Sequence, residues 1–243
     1  MLFISIILCI VITLVGGKIA SRFSKTPYRS DILGFSAGAI LGVAFFDLLP
    51  EAFALSHISP NLLFFFVLLG FLIFHVCERF MHFHSCKNLP EDHTGHSHTL
   101  GSGPLSIFVL CLHSLVDGLM IGLAFLLVAK AGLIILVAIL AHRLCDGINI
   151  VSAEMSCNLS LNNIPLYINA FAPILGVLLS HFIHIPALWI PIIFALSAGF
   201  LIYLGASDLL PASHMEKSNP RVLMFTLLGC AFVYIVVKLA VGI

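Results

Sequence analysis

Four side chains near the middle of this sequence have the types and spacing of metal ligands. His113 and Asp117 are four residues apart, and so are His142 and Asp146. On an α-helix that spacing puts both members of a pair on one face. Each pair is followed by glycine, in the strings His113-Ser114-Leu115-Val116-Asp117-Gly118 and His142-Arg143-Leu144-Cys145-Asp146-Gly147. Two such faces on neighbouring helices point two imidazole nitrogens and two carboxylates at one place. A mixed nitrogen and oxygen set of that kind suits Zn²⁺ and also admits Fe²⁺ or Mn²⁺. A lone histidine in an apolar helix is commonly a polar contact between helices, but a duplicated His-x-x-x-Asp-Gly is hard to explain that way. The two glycines are expected to let neighbouring helices approach closely.

Other polar groups are secondary candidates. Asp47 stands near one end of its apolar segment, where it would attract incoming cations. Asp208 and His214 stand near the end of another, where they would favour release. Glu51 reads as a solvated rim residue, His75 and Glu78 as interfacial, and His181 and His184 as weak points of ion arrival. Cys111, Met120, Cys145 and Asn149 lie close to the paired ligands in sequence but read as packing. Residues 84–103 form a polar, low-complexity stretch carrying His84, His93, His96 and His98. Such a stretch suits weak, exchangeable metal capture, or is a solvated linker.

The segments that hold these residues are apolar. Of 243 residues, 60% are hydrophobic and 9% charged, against about 25% charged in soluble domains. That excludes an ordinary soluble enzyme, a disordered chain and a nucleic-acid binder, which would need a basic excess. Lys and Arg (11) balance Asp and Glu (11), so net charge names no partner. The composition predicts an all-α polytopic membrane protein with the lipid bilayer as its surroundings. Eight apolar segments run over about 2–20, 31–55, 61–83, 104–128, 131–155, 164–183, 188–211 and 221–241, each near the ~20 residues a spanning helix needs. Ser, Pro, Asn and Gly punctuate the breaks, and the tightest break is a turn at Lys130. The first segment lacks a positive leading region and a small-residue cleavage pattern, so it reads as a retained span. Of the seven cysteines, only Cys86 and Cys157 fall in or beside polar stretches, which argues against a disulfide framework.

His113 and His142 fall near the middle of their segments. An ionisable group at that depth is costly unless paired or liganded, so a functional role is the default reading. Basic residues cluster in the loops after the first, third and seventh segments (Arg22, Lys25, Arg29; Arg79, Lys87; Lys217, Arg221), and the opposite loops hold only Lys130. The positive-inside rule then makes the first set cytoplasmic, including the His-rich loop 84–103, and places both termini outside.

The chain also repeats itself. Ala37-Gly38 precedes Asp47-Leu48-Leu49-Pro50, and Ala198-Gly199 precedes Asp208-Leu209-Leu210-Pro211, with nine residues from Gly to Asp in both. The second and seventh segments run in opposite directions through a membrane, as do the fourth and fifth. Inverted repeats with midplane polar groups mark alternating-access transporters. The expected architecture is three helices, a central pair and three inverted helices, a 3+2+3 arrangement.

The strings HSLVDG, HRLCDG, AGAILGVAFFDLLPEA and SAGFLIYLGASDLLPA, with the His-rich loop between the third and fourth segments, resemble the ZIP (Zrt/Irt-like) family of divalent metal transporters. The resemblance covers essentially the whole chain. It implies eight helices with external termini, movement of Zn²⁺ or a similar ion toward the cytoplasm, and a metal site between the fourth and fifth helices with help from the second and sixth. The ion is then cargo, and no permanent cofactor is implied. The chain departs from the family pattern in three places. Ser114 replaces the usual Asn, Arg143 replaces the usual Glu, and Asp146 stands where Glu is common. The first two positions would serve a second metal site in the family, so that site reads as replaced by a guanidinium. Asn169 in the sixth segment, which could have served it, is expected to pair with Arg143.

Other functions fit parts of the pattern. An intramembrane zinc-dependent hydrolase would use the same His and Asp residues to activate water, but would not need an inverted repeat. A metal sensor rests only on the His-rich loop. The expectation is a transporter rather than an enzyme, in a bacterial plasma membrane, with room for a homodimer and no nucleic-acid partner.

Overall fold

The computed structural model describes residues 2–24, 26–85, 103–127, 129–156, 163–183, 185, 186, 188–214 and 220–241. Within them it is helical, with no strand. Apolar sequence in lipid leaves the backbone no water to bond, so helices that satisfy their own amides are the expected form. We number the helices α1 Leu2–Phe23, α2 Arg29–Ala54, α3 Pro60–Ser85, α4 Gly103–Leu127, α5 Ala129–Ser156, α6 Ile164–Ser180, α7 Trp189–His214 and α8 Pro220–Val241. Seven are long and apolar enough to cross a membrane. The remaining one, α6, has 17 residues, the lower limit for a span, and stops at Ser180 rather than at residue 183. Prolines open α3 and α8 and occupy the first turn of α6, where a missing N–H costs nothing. The turn expected at Lys130 is displaced, because α5 already begins at Ala129. Most of the His-rich stretch, together with Cys157 and His184, lies outside the described residues.

Both copies of the Asp-Leu-Leu-Pro motif interrupt their helices in one way. Ala44–Leu48 in α2 and Leu204–Leu209 in α7 are π-helical, and the amides of Leu49 and Leu210 bond back five residues to the carbonyls of Ala44 and Gly205. The cause is local. Pro50 and Pro211 cannot donate to the carbonyl four residues earlier and would clash with it, and a widened turn relieves both problems.

The packing has a regular plan. The strongest helix pairs are α4 with α6, α2 with α8, α1 with α5, α3 with α7, and α4 with α5. Exchanging α1, α2, α3 for α6, α7, α8, and α4 for α5, maps α1–α5 onto α6–α4 and α2–α8 onto α7–α3. Glycines make the same exchange. A Cβ on Gly147 would lie 1.9 Å from the carbonyl oxygen of Thr13 in α1, and one on Gly118 would lie 2.2 Å from that of Pro173 in α6. A Cβ on Gly38 would lie 1.9 Å from the Thr226 carbonyl oxygen in α8, and one on Gly199 would lie 2.1 Å from that of Val67 in α3. Only glycine permits such backbone contact between helices. Large apolar side chains of α1, α3, α6 and α8 point outward, among them Ile7, Phe65, Leu175 and Leu227, whereas α2, α4, α5 and α7 are mostly buried. The polar groups described next are held among these inner helices.

Candidate metal centre

Helices α4 and α5 pack side by side with their His-x-x-x-Asp faces turned toward each other, while Gly118 and Gly147 seat α6 and α1 against them. His113, Asp117, His142 and Asp146 are all buried, and one ligand atom from each lies within 4.8 Å of the other three. The rings of His113 and His142 are 5.7 Å apart, inclined at 32°. Asp117 is central. Its Oδ2 lies 3.3 Å from His142 Nε2 and 3.8 Å from His113 Nε2. The expected convergence of four ligands is therefore met in space.

His113 is 3% exposed, and neither of its ring nitrogens has a hydrogen-bond partner. A buried polar atom left unmet costs about 1–3 kcal/mol. The neutral imidazole thus holds one nitrogen lone pair ready beside two carboxylates, an arrangement a divalent cation would satisfy at that atom. The nitrogen and oxygen donor set fits such an ion.

Arg143 is wholly buried between the helices. Its Nη1 donates to Ser114 Oγ at 2.8 Å and to Asp146 Oδ2 at 3.0 Å, and lies 3.5 Å from Asp117 Oδ2. Its Nη2 donates to the backbone carbonyl of Asn169 at 3.4 Å. The amide of Asn169 donates to Ser114 Oγ at 2.8 Å and to the Leu110 carbonyl at 3.0 Å. Arg143 thus pairs with both Asp117 and Asp146. Asn169 meets Arg143 through its carbonyl, while its side chain fixes Ser114.

Asp47, near the end of α2, has a closer partner than its sequence position suggests. It is buried, and its Oδ2 lies 3.2 Å from His142 Nδ1. The contact has ion-pair distance without hydrogen-bond alignment at the nitrogen. His142 therefore sits between two carboxylates, Asp117 on one ring nitrogen and Asp47 on the other. Farther along the same α2–α5 boundary, Ser36 Oγ donates to Asn149 Oδ1 at 2.6 Å, and Arg29 donates to the Met155 carbonyl. Asn149 was expected only to pack. Its place seven residues after His142, on the same helical face, was a signal for more.

The remaining candidates do not join the cluster. Asp208, the counterpart of Asp47 in the repeat, is buried against Ser106 Oγ at 2.9 Å. His214 is exposed, with Nδ1 2.9 Å from the Leu210 carbonyl oxygen of its own helix. His75 and Glu78 meet the Tyr203 hydroxyl between α3 and α7. Glu154, buried in α5, was not singled out from the sequence.

Residues 102–237 match the family model described as ZIP Zinc transporter. The match includes both His-x-x-x-Asp-Gly strings and Asn169. An uncharacterized protein of Methanocaldococcus jannaschii is 25% identical over 241 residues, covering 95% of this chain and 94% of that protein.

Proposed function

Since the chain belongs to the ZIP zinc transporter family, we propose that this multi-pass membrane protein moves a divalent metal ion, zinc foremost, through the buried cluster of His113, Asp117, His142 and Asp146. Membership makes it a divalent metal transporter. The identity of the ion, the site and the direction are our reading. The observation that carries the site is the convergence of four ligand atoms within 4.8 Å, with both nitrogens of His113 unpartnered.

The chemistry is ligand exchange. A hydrated ion reaching the cluster gives up water for two neutral imidazole nitrogens and two carboxylate oxygens. The carboxylates supply charge, and the imidazoles favour transition metals over Mg²⁺ or Ca²⁺, which prefer oxygen alone. Asp47 holds the His142 ring from behind, so that Nε2 faces the ion. The excess of Lys and Arg in the loops after α1, α3 and α7 supports a topology with both termini outside, and inward transport across a bacterial plasma membrane belongs to the same reading. Family membership favours transport over the metal-dependent hydrolase that the same ligands would permit.

The test is uptake into proteoliposomes with Zn²⁺, Fe²⁺, Mn²⁺, Cd²⁺ and Co²⁺ in competition. Zn²⁺ uptake saturates and is inhibited most by ions that favour nitrogen ligands. Uptake that persists unchanged in a protein carrying both Asp117→Ala and His142→Ala would refute the site. Uptake of none of these ions would refute the cargo.

A further inference from the structure

The guanidinium of Arg143 lies among oxygens in the way a bound cation would. Its Nη1 alone faces Ser114 Oγ at 2.8 Å, Asp146 Oδ2 at 3.0 Å and Asp117 Oδ2 at 3.5 Å. These oxygens come from two helices, and Nη2 adds the Asn169 carbonyl of a third at 3.4 Å. Two of these groups, Asp117 and Asp146, also belong to the four-ligand cluster. The positive charge is thus built against the metal site and shares its carboxylates.

We propose that Arg143 is a tethered internal cation that limits the site to one divalent ion and weakens its hold on that ion. This rests on the transport reading above. A guanidinium has no lone pair to offer a metal and stays protonated in proteins. Its Nη1 stands within 3.5 Å of Asp117 Oδ2 and 3.0 Å of Asp146 Oδ2, and these are the two carboxylates of the four-ligand cluster. A second divalent ion would have to share those carboxylates with the first ion and with the guanidinium, and mutual repulsion of the cations in a low-dielectric interior is strongly unfavourable. Arg143 cannot swing aside easily, since Ser114 and Asn169 hold its two terminal nitrogens and are themselves buried. The single ion is held against a fixed like charge, which favours release over retention.

The experiment counts ions. Full-length protein with His84, His93, His96 and His98 changed to Ala is dialysed to equilibrium against a saturating, fixed concentration of Zn²⁺, or separately Cd²⁺, and the metal on the protein side in excess of the dialysate is measured by elemental analysis. Asp117→Ala defines the background. One ion above background is expected for the parent and for Arg143→Lys, and two for the combined Ser114→Asn and Arg143→Glu change. Two ions in the parent, or one in a combined variant that elutes as a folded species, would overturn the proposal. Should the combined variant not fold, Arg143→Gln decides. Loss of a like charge a few ångströms away should tighten Zn²⁺ binding by about tenfold or more, and unchanged or weaker binding would overturn the proposal. No ion above background in the parent would instead refute the metal-site reading itself, a distinct outcome.

Discussion

Asp47→Asn separates two roles that a carboxylate near a metal site can play. In the structure Asp47 Oδ2 lies 3.2 Å from His142 Nδ1, while His142 Nε2 lies 3.3 Å from Asp117 Oδ2. The opposite edges of one ring are thus occupied, and Asp47 is outside the group of four converging ligand atoms. In the proposed site it would orient the imidazole from the edge away from the ion. Loss of such a partner typically costs about 10–100-fold in metal affinity, or about 1.4–2.8 kcal/mol. The imperfect alignment at Nδ1 places the expectation near tenfold. Asparagine keeps an acceptor oxygen of similar reach, so ion number and fold should be unchanged. Zn²⁺ titration calorimetry on the purified protein, with the loop histidines replaced by alanine, gives both affinity and stoichiometry. Affinity within twofold of the parent would show that Asp47 does not support His142. Complete loss of the bound ion would show that it is itself a ligand.

Replacing Asp117 or His142 with alanine should abolish high-affinity binding and uptake while leaving the protein in the membrane, as checked by vesicle uptake and immunoblotting of membranes. Deleting residues 88–100 should leave maximal transport largely intact and alter only efficiency at low metal, and loss of transport in a correctly inserted deletion would place those histidines on the obligatory path. Gly147→Ala would set a methyl group 1.9 Å from the Thr13 carbonyl oxygen. Forcing α1 from α5 should destabilise the fold by about 1–3 kcal/mol, seen as a lower unfolding temperature in detergent. Gly118→Ala, against Pro173, should behave alike.

The clustering of His113, Asp117, His142 and Asp146 was legible because it rests on local periodicity. Two His-x-x-x-Asp pairs need only the pitch of a helix to share a face, and the mid-membrane depth of each pair follows from counting along an apolar run. The burial of Arg143 against Asp117 and Asp146 was foreseeable on the same grounds. Asp47 was not. It falls inside the π-helical stretch Ala44–Leu48, where the extra residue per turn shifts every later side chain around the axis, and an α-helical count no longer tells which way it points. The prolines at positions 50 and 211 announce such an irregularity without giving its direction. The boundary between α2 and α5 was also hidden, because Ser36, Asn149 and the Met155 carbonyl pair across more than a hundred residues and carry no shared spacing. Asp208 shows the same limit from the other side. Its sequence context matches that of Asp47, yet it bonds Ser106 two turns before His113 rather than the histidine itself.

The nearness of α4 and α5 in sequence has a consequence for how the chain enters the bilayer. Only residue 128 stands between Leu127 and Ala129, so the two helices form a hairpin. Alone, α5 would carry Arg143 and Asp146 into hydrocarbon, at about 2.5–3.5 kcal/mol for each charge at mid-depth. Much of that cost disappears within the hairpin, because Arg143 bonds Asp146 on its own helix and Ser114 on α4, and lies 3.5 Å from Asp117. The hairpin that brings the two His-x-x-x-Asp faces together thus also brings Arg143 most of its partners, so the guanidinium need not face hydrocarbon bare.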